Sequence, residues 1–71
     1  MNQAILFNDD HIYIVEKQLW RFTGLLSGNQ VNIYIAHSAS AISQADKFDW
    51  EEKVEEWLED NEPDENNEIW L

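Results

Sequence analysis

The chain has 71 residues, 44% of them hydrophobic, with four Trp and no Cys. This length suits one domain over residues 1–71 rather than two, and without cysteine no disulfide can supplement its core. The formal net charge of −11 disfavours contact with phosphate backbones and anionic membranes.

Nearly all of this charge lies in the last third of the chain. Residues 1–48 carry four acidic and three basic side chains, whereas residues 49–71 carry eleven acidic side chains and one base, Lys53. The second segment therefore has a net charge of −10, which repels nucleic acids and attracts basic protein surfaces. No signal-peptide pattern is present and no apolar run approaches the roughly 20 residues of a membrane span, so we expect a cytoplasmic protein without direct membrane or nucleic-acid contacts.

The first predicted elements are strands. Ala4–Phe7 is a short apolar run that ends at the turn signal Asn8–Asp10, and it predicts a first strand. The β-branched and aromatic residues of His11–Val15 predict either a second strand or an irregular extended segment.

A β-hairpin is the clearest predicted element. Gln18–Leu26 and Val31–Ala36 are β-rich runs on either side of the loop Ser27–Gln30, whose Gly and Asn are typical of hairpin connections. Alternation predicts one buried face, which carries Trp20, Phe22, Gly24 and Leu26 on the first strand and Val31, Ile33 and Ile35 on the second. Gly24 within this pattern indicates a bulge or the close approach of another element.

Helical signals follow the hairpin. In the Ser- and Ala-rich segment 37–45, Ser38 and Ser40 are candidate caps of a short helix. A longer helix is predicted over Asp49–Asp60, with Asp49 as N-cap and the Glu three residues later as its capping-box partner. The apolar residues with helical spacing are Trp50, Val54, Trp57 and Leu58.

The chain closes with a polar loop around Pro63 and an apolar segment, Glu68–Leu71, that predicts a terminal edge strand. Together the elements predict an α+β fold, in which an antiparallel three- or four-stranded sheet has one amphipathic acidic helix packed on one face. We expect the apolar side of the helix to meet the buried face of the hairpin.

The acidic side chains of the predicted helix form the main candidate binding surface. They are Glu51, Glu52, Glu55, Glu56, Glu59 and Asp60. One interpretation is a surface that binds a basic protein partner, with an inhibitor that imitates the phosphate rows of DNA as a special case. The other interpretation is a solvated face that only keeps a small domain soluble.

A calcium site finds little support in the sequence. Asp60, Glu62 and Asp64 are spaced like the start of an EF-hand loop. Glu65, however, stands where that loop needs Gly, and Leu71 stands where it needs a bidentate Glu. We predict no metal site.

Catalytic patterns are equally weak. His11 and His37 lie 26 residues apart without neighbouring ligand residues, and the sequence contains neither a nucleophile elbow nor a phosphate-binding glycine loop. The carboxylates are expected on a wet helix face, where their pKa values stay ordinary. We therefore predict a non-enzymatic protein without a cofactor.

The aromatic residues suggest an alternative function. We expect Trp20, Phe22, Trp50, Trp57 and Trp70 mainly in the core. A thin layer of sheet and helix has limited room for four Trp, and an aromatic patch left exposed would mark an interface. The alternative to a basic partner is thus a self-associating module, for example a homodimer.

Three parts of the chain carry a family resemblance. They are Ile5–Asp9 at the opening strand and turn, Phe22 with Val31–Ile35 in the hairpin, and Phe48–Glu52 with Glu68–Leu71 in the acidic helix and closing strand. In this order the features resemble a bacterial family catalogued as domain of unknown function 1488 (DUF1488). That family's pattern has a Cys in the middle strand, which this chain lacks. The resemblance implies an α+β fold and a bacterial cytoplasmic setting, and it implies no functional residues.

Overall fold

A computed structural model describes residues 5–71 of the chain. The elements in chain order are β1 (Ile5–Phe7), β2 (Ile12–Ile14), β3 (Leu19–Leu26), β4 (Asn29–Ala36), α1 (Gln44–Asp60) and β5 (Glu68–Trp70). Within the described residues the sheet has five strands, and α1 packs on one of its faces. The predicted α+β fold is confirmed, with one strand more than the four expected at most. The predicted first strand is present as β1, and its expected first residue, Ala4, lies outside the described residues.

The sheet is built around the β3–β4 hairpin. The two strands pair antiparallel along their whole length, which confirms the hairpin, but the connection has two residues, Ser27 and Gly28, rather than the four predicted. Both have positive φ angles, 53° and 83°, as the central residues of a type I′ turn require. This turn follows the twist of the strands, so Asn29 and Gln30 belong to β4 instead of the loop.

Strand β5 forms one edge of the sheet, as predicted for the closing segment. It pairs parallel with β4, with Ile33 opposite Ile69, whereas an antiparallel sheet was expected. The reason is the connection between the two strands. Because α1 crosses back over the sheet, the chain re-enters it in the direction of β4.

The other edge is shared by β1 and β2, which pair antiparallel with the two halves of β3. Between them, residues 8–11 leave the ladder, and the Asp10 side chain takes the place of the missing backbone partner. Its carboxylate accepts hydrogen bonds from the backbone N–H of Thr23 at 2.9 Å and from the Thr23 hydroxyl at 2.5 Å. The N–H of Asn8 donates to the Thr23 carbonyl at 2.9 Å. The two short strands therefore behave as one interrupted edge strand.

Helix α1 begins earlier than the sequence analysis predicted. Its N-cap is Ser43, whose hydroxyl accepts from the N–H of Asp46 at 3.2 Å, while the Asp46 carboxylate accepts from the N–H of Ser43 at 2.9 Å. This is a complete capping box, so the prediction of Asp49 as N-cap is wrong. The predicted caps Ser38 and Ser40 are also wrong, because residues 37–43 form no helix. The predicted end of the helix at residue 60 is confirmed.

The core lies between α1 and the face of the sheet that α1 covers, here called the inner face. The buried side chains of this face are Ile5, Trp20, Phe22, Leu26, Val31, Ile33, Ile35 and Ile69. The helix contributes Trp50, Val54 and Leu58, with Trp57 half-buried at the margin. The apolar side of the helix thus meets the buried face of the hairpin, as predicted.

The close approach predicted at Gly24 is made by β1. A Cβ atom on Gly24 would lie 3.0 Å from the carbonyl oxygen of Leu6 and 3.2 Å from the side chain of Ile5. A larger residue would therefore push β1 away from β3.

Candidate functional site

The predicted acidic residues lie on the side of α1 that faces away from the core. Glu52, Glu55, Glu56, Glu59 and Asp60 are exposed, and Glu51 is half-buried. The first four line a shallow groove along the helix, here called the acidic groove. Their spacing of three and four residues places them on neighbouring turns of one helix face. The groove is thus a continuous row of carboxylates on a rigid element.

The lysines of α1 are engaged outside the acidic groove. The Lys47 ammonium lies 2.9 Å from a carboxylate oxygen of Asp9, and the Lys53 ammonium lies 3.2 Å from one of Asp49. Among the described residues, neither lysine forms an ion pair with a groove glutamate. Like charges three or four residues apart on a helix destabilise it by about 0.2–0.5 kcal/mol per pair. A cation brought to the groove would relieve this repulsion.

Glu51 lies on the flank of the groove and is in a different environment. Partial burial raises the pKa of its carboxyl group, and the nearby negative charges of Glu55 and Asp9 act in the same direction. Glu51 therefore holds its proton more readily than an exposed glutamate, which makes it the weakest member of the predicted acidic set as an anion.

The loop after α1 uses its acidic residues for its own structure. The Asp64 carboxylate accepts hydrogen bonds from the N–H groups of Asn66 at 2.9 Å and Glu68 at 3.0 Å. The side chain thus holds the turn that leads into β5. Across residues 5–71, no group of three or more His, Asp or Glu side chains is arranged to hold a metal ion.

The two histidines, far apart in sequence, both contact Trp50. The His11 ring stacks on Phe22 with centroids 4.4 Å apart, and its centroid lies 6.1 Å from that of Trp50. His37 meets Trp50 edge-on at 5.3 Å. Sequence reasoning missed this arrangement because it depends on the path of residues 8–11, which brings the His11 ring to the inner face of the sheet.

His11 is the more constrained of the two. Its side chain is 3% exposed, and neither ring nitrogen has a hydrogen-bond partner among the described residues. Burial lowers its pKa, and Lys47 acts in the same direction, whereas the carboxylates of Asp9 and Asp10 oppose the shift. The ring therefore packs against the core residues Phe22 and Trp50 in a site that favours its neutral form.

The face of the sheet opposite α1, here called the outer face, carries an aromatic pair at its β5 edge. The rings of Tyr34 and Trp70 stack with centroids 4.1 Å apart and planes inclined by 10°. Glu68 contacts both rings, since it accepts from the Trp70 indole N–H at 3.2 Å and from the Tyr34 hydroxyl at 3.4 Å. Burial and the Glu68 carboxylate raise the pKa of Tyr34, so this hydroxyl remains a donor at neutral pH. The sequence alone could not predict the pair, because it requires β5 to lie beside β4.

Comparison with known proteins gives a fold neighbour. The chain matches no family model and no curated protein. It is similar to the crystal structure of a protein of unknown function from the DUF1488 family of Shewanella loihica PV-4, with 24% identity and a TM-score of 0.69. The match covers 100% of this chain and 94% of the other.

As for membranes, none of the helical segments in residues 5–71 combines the length and apolar character that crossing a bilayer requires.

The likeness to the Shewanella protein agrees with the resemblance found in the sequence, and it shows that this chain has the same fold as a DUF1488 protein.

Proposed function

We propose that this protein is a non-enzymatic interaction module that binds a basic protein partner through the acidic groove. The observation that carries the proposal is the row of four exposed glutamates, Glu52, Glu55, Glu56 and Glu59, along one side of α1. A partner with lysines or arginines at matching spacing would replace the repulsion within this row by attraction. We also propose the bacterial cytoplasmic setting that the DUF1488 resemblance implies.

The acidic groove lies on a rigidly positioned helix. The helix is fixed by three buried side chains, Trp50, Val54 and Leu58, and by the capping box at its N-terminus. The backbone that carries the groove therefore needs no ordering when a partner binds, which lowers the entropic cost of association.

The direct test is binding of a lysine-rich peptide, measured by fluorescence anisotropy. The groove variant carries Glu52→Gln, Glu55→Gln and Glu59→Gln. The matched control carries Glu16→Gln, Glu62→Gln and Glu65→Gln, which removes the same charge from exposed positions outside the groove. We expect the groove variant to bind about tenfold or more weakly, and the control to lose less than about threefold.

Salt provides the second readout. Exposed charges are screened over about 8 Å at physiological ionic strength, so affinity should fall steeply as salt rises. Equal weakening by the two triple variants would mean that net charge alone governs binding, and the acidic groove would then have no specific role.

Identification of the natural partner requires capture from the native cell at low and at high salt. A basic protein that is retained at low salt, released at high salt and not captured by the groove variant fits the proposal. Duplex DNA added as a competitor would show whether that partner uses its own DNA-binding surface, which is the DNA-mimic case.

A further inference from the structure

The outer face of the sheet carries large apolar side chains that α1, on the inner face, cannot cover. Leu6 and Leu25 are paired across β1 and β3 and are 71% and 42% exposed. Ile12 and Trp70, at 46% and 48% exposed, end a row that runs across β2, β3, β4 and β5. Large apolar patches on the surface of a soluble protein mark contact surfaces.

The aromatic end of this row is already ordered for contact. Trp70 is stacked on Tyr34 with ring centroids 4.1 Å apart, and Glu68 accepts long hydrogen bonds from both side chains. A Trp side chain fixed in this way loses little rotamer freedom on binding, which is characteristic of residues that anchor interfaces.

The charge of the outer face differs from that of α1. Arg21 lies in the middle of the row, between Ile12 and Tyr34, and its buried Nε has no hydrogen-bond partner among the described residues. The carboxylates of Asp10 and Glu68 are engaged with Thr23 and with the aromatic pair. The face therefore presents both signs of charge around apolar groups, so that opposite charges of two copies can face each other across a symmetric contact.

Electrostatics also select this face for contact between two copies of a chain with a net charge of −11. Sheets that pack face to face lie about 10 Å apart. With a helix layer on each far side, the two α1 helices would be separated by about 30 Å, or roughly four Debye lengths at physiological ionic strength. Repulsion between the acidic helices is then screened, whereas contact through the helix layers would bring them together.

The size of the face suits a dimer. The longer two axes of the molecule measure 33 and 25 Å, so a face bounded by them covers at most about 800 Å², and an interface on this face is at most of standard size. A symmetric pair could bury this area on both copies at once.

We propose that the protein forms a symmetric homodimer through the outer face of the sheet, with Leu6, Ile12, Leu25 and Trp70 at the contact and Arg21 opposite a carboxylate of the second copy. The acidic groove stays accessible on both far sides of this dimer. The inference is therefore independent of the basic partner proposed above.

The test is sedimentation velocity of the full chain from about 1 to 100 μM, a range that brackets a micromolar dimer. We expect a dimer that persists at high salt, because its contacts are mainly apolar. Leu25→Glu places a negative charge of each copy within the apolar contact and should weaken dimerisation at least about tenfold. Phe48→Glu makes the same change at a side chain on α1 that is 57% exposed, and should leave the dimer unchanged.

Circular dichroism confirms that each variant is folded, and Ile12→Glu replaces Leu25→Glu if that variant is not. A wild-type chain that stays monomeric at 100 μM would overturn the proposal. A dimer that survives both outer-face variants, or that is weakened equally by Phe48→Glu, would also overturn it.

Discussion

The two faces of the sheet are built from the same strands but have different environments. In β3 and β4, Phe22 and Ile33 are fully buried under α1, while their neighbours Arg21 and Tyr34 point to the outer face and are partly exposed. Since adjacent side chains in a strand point in opposite directions, a step of one residue exchanges core for surface. The difference arises because α1 covers one face, which forms the core, and leaves the other face available for contact.

The largest expected difference between the two faces is in the loss of stability when their tryptophans are replaced by alanine. Trp50→Ala removes a side chain that contacts Trp20, Phe22 and both histidines, and should lower the free energy of unfolding by about 3–5 kcal/mol. Trp70→Ala, on the outer face, should cost about 1 kcal/mol, mainly the lost stacking on Tyr34. Trp57→Ala, half-buried at the margin of the core, should lie between them. Urea unfolding followed by circular dichroism at low protein concentration measures all three, and equal losses for Trp50 and Trp70 would contradict the division.

A second test concerns the edge where β1 and β2 meet. Asp10→Ala leaves the buried N–H and hydroxyl of Thr23 without their acceptor, so we expect a loss of about 1–3 kcal/mol. Asp9→Ala is the matched control, because the Asp9 carboxylate is exposed and lies near Lys47 and His11 without bonding to the backbone of β3, so its loss should cost less than about 1 kcal/mol. If the two variants were equally stable in urea, Asp10 would not replace the missing backbone partner.

A smaller effect distinguishes the two candidate N-caps of α1. Ser43→Ala removes the observed capping box and should destabilise the protein by about 1 kcal/mol. Asp49→Ala removes only the ion pair with Lys53, four residues later in the helix, so its effect should stay within about 0.5 kcal/mol. Thermal unfolding of both variants gives the order, and the reverse order would restore Asp49 as the cap.

The last prediction concerns the pH dependence of the unfolding free energy that comes from His11. The pKa of His11 is lowered by burial, so the folded protein favours the neutral ring. The unfolded chain, with a pKa of about 6.5, takes up the proton first as pH falls. The contribution of His11 to the unfolding free energy is therefore fully present above a pH of about 6.5, and it is lost as the pH falls from there towards the folded-state pKa.

The variant that isolates this effect is His11→Phe, which keeps an aromatic ring stacked on Phe22. Its unfolding free energy should depend less on pH than that of the wild type as the pH falls below about 6.5. The lowered pKa values of Asp9 and Asp10 act at more acidic pH, so they do not obscure the comparison. Identical pH profiles for the two proteins would show that His11 does not titrate with unfolding.

Local patterns in the sequence predicted the inner face of the molecule well. Alternation in the hairpin placed Val31, Ile33 and Ile35 in the core, and helical spacing did the same for Trp50 and Val54, because both signals report one buried side of one element. The same reasoning placed the candidate acidic residues on the opposite side of α1, where the structure finds all but the half-buried Glu51 exposed.

Features that depend on contacts between distant segments could not be predicted in this way. The parallel direction of β5, the bonds between Asp10 and Thr23, and the stacking of Tyr34 on Trp70 all require tertiary register. The start of α1 was missed for a different reason. Its first turn carries a mostly polar sequence, so periodicity detects no helix until Trp50, although Ser43 and Asp46 do have capping-box spacing.

The central claim, that the outer face is free for association while the inner face forms the core, is tested most directly by ¹⁹F NMR of the chain labelled with fluorotryptophan. The four tryptophans sample both faces and the helix margin. We predict that raising the protein concentration shifts the Trp70 resonance and reduces its solvent isotope effect, while the resonances of Trp20 and Trp50 stay unchanged. A Trp70 resonance that is insensitive to concentration, or a concentration-dependent shift that appears first at Trp50, would contradict the account.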